Sequence, residues 1–185
     1  MNGITVLRWT LTFLLLILAW TGMAYGIHRL AHHSGRWNLL NRLHRAHHHP
    51  DYLNHQRSFR WHHFLLCFGS LEETLDVWIT LTLPALLLSC LVPSHAPLML
   101  GFHYLYEIFL SDDRLDHNPS LRGGVTRWFA WGQYHLEHHR QPTKHFGLIL
   151  TFWDVIFMSG PASNAVTTTA AQGSCRFTPA AHHRR

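Results

Sequence analysis

The sequence predicts an all-α fold, an integral membrane helical bundle with a histidine-rich cap on its cytosolic side. Three observations predict it. Apolar residues are gathered into blocks, and charged residues make up only 14% of the chain, against roughly 25% in ordinary soluble domains. The 19 histidines, in turn, cluster at helical spacing beside those blocks. The mean hydropathy of -0.04 conceals this segregation, because the histidines offset the apolar runs. At 185 residues the chain predicts one domain, 1–160, followed by a Thr/Ala-rich tail, 161–185, expected to be mobile.

The first helix covers Ile4–Gly26, about the length that crosses a bilayer at ~1.5 Å per residue. Arg8 and Trp9 lie near its start, where an interfacial charge and aromatic are tolerated. A buried core helix is the blander reading of such a run. It is long for the apolar part of a signal peptide, and histidine and arginine follow it in place of a cleavage site, so a retained span is expected. Residues 27–63 are polar and helix-prone, with six arginines against one acid, Asp51, and Pro50 is expected to end their helix. Val77–Val92, which contains Pro84, and Ala96–Leu110 are each marginal as lone spans. Divided by Pro93, they fit a hairpin that enters and returns to one face. Residues 111–145 are polar again, with turn signals at Asn118-Pro119 and Gly123-Gly124. Phe146–Met158 is apolar but interrupted by Asp154, and is expected to lie at the membrane interface. One crossing and one hairpin leave 27–63 and 111–145 on the same side. Both are arginine-rich, which predicts a multi-pass protein whose histidines face the cytoplasm.

Four groups of polar residues recur at helical spacing. They are His28 with His32 (His33 adjacent), His44 with His47 and His48, Asp113 with His117, and His135 with His138 and His139. Residues three and four apart share a helix face, so each group can present its side chains in one direction. Neutral imidazole is the commonest protein metal ligand. A lone histidine such as His62 or His95 reads as a hydrogen-bonded core residue, and His182-His183 as solvated tail. Two HxxHH triplets beside membrane segments read as metal ligands. One zinc needs about four ligands; eight to ten clustered imidazoles suit two ions, hence a di-metal cap.

Other chemistry is less favoured. Cys67, Cys90 and Cys175 are far apart and form no CxxC, which points to a reducing, cytosol-facing environment. The net charge of +5 is not arranged as a nucleic-acid stripe, so no nucleic-acid partner is expected.

HRLAHH at 28–33, HRAHHHPD at 44–51 and HLEHH at 135–139, with HFGLILTFWDVIF at 145–157, resemble the histidine motifs of the fatty acid hydroxylase/sterol desaturase superfamily. ETLDVWITLTLPA is similar to that family's mid-membrane segment, and the resemblance covers roughly 25–160. It implies a cytosolic centre of two iron ions and O2 as co-substrate. It implies a lipid substrate (fatty acyl, sterol or related) that is hydroxylated or desaturated at a C–H bond. It also implies an external electron donor such as cytochrome b5, a ferredoxin or a similar reductase chain. Carried over by position, His28, His32 or His33, His44, His47, His48, His135, His138 and His139 would be ligands. His32 is favoured over His33 because i, i+4 faces a partner better than i, i+5. The chain departs from the family pattern at Asp113 with His117, where a further histidine pair is usual. It departs also at His145, where the family has Asn, and at Met158-Ser159, where it has Gly-Thr.

Asp113, His103, Glu107 and His145 are further candidates for the centre or its surroundings. His103 and Glu107 stand i, i+4 on an apolar segment, where polar groups are costly without a role. Imidazole N–H groups need acceptors, for which Glu137, Asp116 and Glu107 are candidates. Two rivals remain from the residues alone. A non-catalytic membrane protein binding zinc or copper would usually offer mobile Met and Cys runs, and a bis-histidine cytochrome would want single histidines within facing spans.

Overall fold

The computed structural model describes residues 2–49, 60–111 and 113–160. The expected helix end at Pro50, Asp51, Cys175, the tail 161–185 and its histidines lie outside the described residues. Among the described residues the chain is helical, with one isolated antiparallel bridge between Phe129 and Leu150.

Helix α1 spans Gly3–Ala31, its first turn capped by the Asn2 side chain, which accepts from Thr5 N–H. Its 29 residues extend about 43 Å at ~1.5 Å per residue. It runs past the predicted Gly26 and carries His28 on its last turn. A loop containing Ser34 and Gly35 then breaks the polar stretch that the sequence suggested as one helix, and α2 follows over Leu39–His47, capped by Asn38. A 3-10 turn, Trp61–Leu65, leads to α3, Leu71–Leu91, whose start is capped by Ser70. Within α3 the stretch Trp78–Thr82 is π-helical. Pro84 follows one residue beyond it; it has no N–H for the preceding turn and crowds its carbonyls, and a widened turn is one way a helix absorbs this. After the 3-10 turn Pro93–His95 the chain returns as α4, Ala96–Leu105, ending in a second π-helical turn, Tyr106–Leu110. Two short helices complete the fold, α5 over Gln133–Arg140 and α6 over Phe152–Ile156.

Three contacts fix how the long helices run. His95 stacks on Trp9 at 4.3 Å and bonds to its carbonyl at 3.1 Å, so the α3–α4 turn sits at the start of α1. Midway, fully buried Trp20 donates its Nε1–H to Leu81 O at 2.8 Å and meets the edges of His103 and Tyr106. At the far end His44 of α2 bonds to Asp76 of α3. The expected hairpin is thus present, and the end of α1, the start of α3 and the end of α4 lie together. Helices α1 and α3 are long and apolar enough to cross a membrane. Ile4, Leu7, Leu11, Leu14, Leu15, Leu87 and Leu91 point outward and are exposed, an arrangement that costs free energy in water and none in lipid.

The 144–160 segment docks on α1 rather than floating beside it. Trp153 donates to Thr21 Oγ1 at 3.1 Å, and its ring lies so close to Gly22 that a Cβ there would stand 2.6 Å from it. Gly22→Ala is therefore expected to displace the indole and lower stability by ~1–3 kcal/mol. A thermal-unfolding shift in detergent measures this, and an unchanged midpoint would show that the ring yields freely.

Candidate metal centre

Nine of the predicted histidines converge at the end where α1, α3 and α4 meet. They form two groups, each with ring nitrogens within 4.8 Å of one another: His28, His32, His44, His48 and His138, then His47, His117, His135 and His139. The groups adjoin, with the rings of His48 and His139 4.4 Å apart between centroids.

The triplets do not each face one point, as the sequence reading assumed. Residues advance by 100° on a helix, so i and i+4 differ by about 40° while i+3 and i+4 differ by about 100°. Accordingly, the i, i+4 pairs His28/His32, His44/His48 and His135/His139 stay together. The intervening His47 and His138 cross to the other group. Helices α2 and α5 therefore stitch the two groups together.

Within the first group the Nε2 atoms stand 3.1 Å apart for His28–His44, 3.3 Å for His32–His28, 3.0 Å for His48–His44 and 3.0 Å for His138–His32. In the second they stand 3.1 Å apart for His47–His135, His117–His139 and His139–His135. The His28–His44 approach is not an ordinary hydrogen bond. The Nδ1–H of His28 donates to Phe146 O at 2.7 Å, that of His138 to Lys144 O at 2.6 Å, and that of His44 to Asp76 Oδ2 at 2.9 Å. A neutral ring protonated at Nδ1 has a bare lone pair at Nε2. His28 and His44 therefore aim two lone pairs at each other, which is repulsive unless a cation lies between them. Nitrogens bound about 2.0–2.1 Å from one ion lie ~3 Å apart when adjacent, which is the spacing observed. The residues fit a metal.

Electrostatics keeps six of the rings in the ligand form. Burial first, then the neighbouring imidazoles, push His32 down to about 3. Burial likewise holds His138 down at about 4, against the opposing Lys144 carbonyl. His47, His48, His135 and His139 are also lowered, burial again the largest cause and histidine neighbours next. Neutral imidazoles at pH 7 are what metal binding requires.

Other predicted residues lie elsewhere. His33 is exposed, beyond both groups, because one further step past the i, i+4 position turns it off the face. Residues 113–117 form turns rather than the helix that i, i+4 spacing implied; His117 joins the second group while Asp113 stays outside both, exposed on the wall of a cavity. His103 bonds to Thr82 Oγ1 at 3.0 Å within the bundle, and Glu107 is buried on that cavity's wall. His145 is buried outside both groups, its ring edge-on to Tyr134, and has φ 61°, a left-handed conformation that Asn and His adopt more readily than most residues. Of the suggested acceptors, Glu137 bonds to Arg140 and Gln141, and Asp116 accepts from Tyr106. His62 bonds to Cys67 O. Asp154 is not an interfacial interruption: it is fully buried and accepts four hydrogen bonds.

The acceptors that sequence reasoning missed are Asp76 and two backbone carbonyls. Asp76 was visible only as one acid at the edge of an apolar stretch, and carbonyls leave no signal in sequence. Asp76→Ala is expected to cost ~10–100-fold in metal affinity at the first group. Chelator competition measures it; wild-type affinity would exclude the carboxylate from the centre.

A cavity of about 570 Å³ opens against both groups. His44, His47 and His135 are among its lining residues, and Leu81, Ile108, Phe109 and Leu148 contribute apolar wall. Both π-helical turns contribute to that wall, through Thr80 and Leu81 and through Glu107, Ile108 and Phe109. Its size lies within the ~300–1,000 Å³ of small-molecule sites.

The family model for fatty acid hydroxylases matches residues 13–159, a stretch that contains every histidine of both groups, and the chain belongs to that family. The family consists of metal-dependent oxidoreductases that act on lipids and associate with membranes. No curated protein and no solved structure matches the chain significantly.

Proposed function

We propose that the chain is a membrane di-iron, O2-dependent oxidoreductase that hydroxylates, or desaturates, one C–H bond of a fatty acyl, sterol or related lipid. The observation that carries this reading is the pair of adjoining histidine groups beside a half-apolar cavity. His28, His32, His44, His48 and His138 would hold one ion, and His47, His117, His135 and His139 the other. The five imidazoles of the first group exceed the four ligands of structural zinc, and imidazole suits iron as it does zinc, copper and nickel. Bound there, the metal pair would activate O2 and supply the oxidising power for the C–H bond.

The chain's own residues do the rest. Asp76 and the Phe146 and Lys144 carbonyls orient the rings of His44, His28 and His138. Leu81, Ile108, Phe109 and Leu148 hold an acyl or sterol carbon away from water. Helices α1 and α3 would cross the bilayer, and the arginines around the cap favour a centre on the cytoplasmic side. Electrons come from an external donor, a cytochrome b5, a ferredoxin or a similar reductase chain.

Metal analysis of the purified protein, with lipid profiling of cells that do and do not express it, tests this. Two irons per chain and a new oxygenated or unsaturated lipid are expected. One zinc per chain and unchanged lipids would replace the proposal with a non-catalytic metal-binding protein.

A further inference from the structure

Asp154 belongs to neither histidine group, yet its carboxylate is fully buried and collects four donors. Oδ1 accepts from Phe146 N–H at 2.8 Å and the Ser159 hydroxyl at 2.7 Å; Oδ2 accepts from Gly147 N–H at 2.7 Å and the Tyr134 hydroxyl at 2.9 Å. A buried carboxylate is costly unless satisfied in this way. The chemistry lies in what its donors are joined to. The N–H of Gly147 and the C=O of Phe146 are the two ends of one peptide unit, and that C=O receives the Nδ1–H of His28 at 2.7 Å. A nearby peptide unit repeats the pattern. The Lys144 carbonyl receives the Nδ1–H of His138 at 2.6 Å while the His145 N–H donates to Ser159 O at 2.8 Å.

We propose that Asp154 is a positioning residue of the first metal site, acting on His28 through the Phe146–Gly147 peptide as Asp76 acts on His44 directly. The proposal rests on the metal-centre reading above. A carboxylate at one end of an amide polarises it and strengthens the carbonyl at the other end as an acceptor. That acceptor fixes the His28 tautomer and ring direction and makes Nε2 a better donor. Gly147 is needed for the link, because a Cβ there would stand 2.7 Å from Asp154 Oδ2 and 2.6 Å from Leu150 O. The effect is one-sided. Both imidazoles held by the 144–147 segment, His28 and His138, belong to the first group, whereas in the second the Nδ1 atoms of His135 and His139 are buried without a hydrogen-bond partner among the described residues.

The test counts metal at each site separately. Full-length protein in detergent is stripped, titrated anaerobically with Fe2+ or Co2+, and competed with a chelator. His28→Ala and His117→Ala mark the loss of the first and second sites. Wild type is expected to bind two ions. Asp154→Asn and Gly147→Ala are expected to weaken one of them ~10–100-fold, and the Co2+ absorption band they lose should be the one lost in His28→Ala. Should Asp154→Asn fail to fold, Tyr134→Phe removes a single donor and is expected to weaken that same ion alone, by a smaller factor. Variants that keep both ions at wild-type affinity, or weaken both equally, would overturn the role of Asp154 while leaving a two-ion centre standing. A wild type that binds fewer than two ions would overturn the metal-centre reading, and the proposal with it.

Discussion

His138→Ala is expected to abolish lipid oxidation and to remove one metal ion while the other stays. His138 is fully buried, faces His32 across 3.0 Å and is held from behind by the Lys144 carbonyl, so no other imidazole can take its place. Losing only a partner behind a ligand typically costs ~10–100-fold in affinity or activity; losing the ligand itself should cost more. The substitution empties a space inside the first group and leaves the backbone of α1 and α3 unaltered, so membrane insertion and helix content should persist. Product formation in membranes and metal per chain, measured on the same preparation, check this. Wild-type turnover with one ion missing would mean that the first site is dispensable.

His47→Ala is expected to be as damaging through the other ion. His47 is the neighbour of His48 in sequence, yet it meets His117, His135 and His139 rather than its own i+1 partner's group. The two variants should therefore be indistinguishable in activity and opposite in which site they empty. Site-resolved Co2+ absorption reads the difference. The same band lost in both would contradict the division of α2 and α5 between two sites.

Much of this was legible in the sequence because helical spacing is a geometric statement. The pairs His28/His32, His44/His48 and His135/His139 announced a shared face, and the apolar runs around Pro93 announced the hairpin that brings the end of α4 back beside the start of α3. What spacing cannot resolve is rotation within a triplet. Three histidines at i, i+3 and i+4 look like one cluster until the 100° step is set against a neighbouring helix, which sends His47 and His138 across. Asp113 and His117 misled for a related reason: i, i+4 has meaning only on a helix, and that stretch is a series of turns.

The support behind the ligands was the least legible part. Asp154 interrupts an apolar run and so reads as a surface residue, yet it is buried because four donors reach it from chain neighbours and from Tyr134. His33 was adjacent in sequence and absent in space. Only Asp76 had a visible trace, as an acid at the edge of an apolar segment, and nothing in the sequence tied it to His44, 32 positions earlier.

X-ray absorption at the iron edge of the purified, iron-loaded protein tests the central claim most directly. The account predicts two irons per chain, both surrounded by imidazole nitrogen with no sulfur, and an iron–iron contribution arising from adjoining sites. A single ion per chain, a sulfur shell, or two irons with no sign of each other would contradict it.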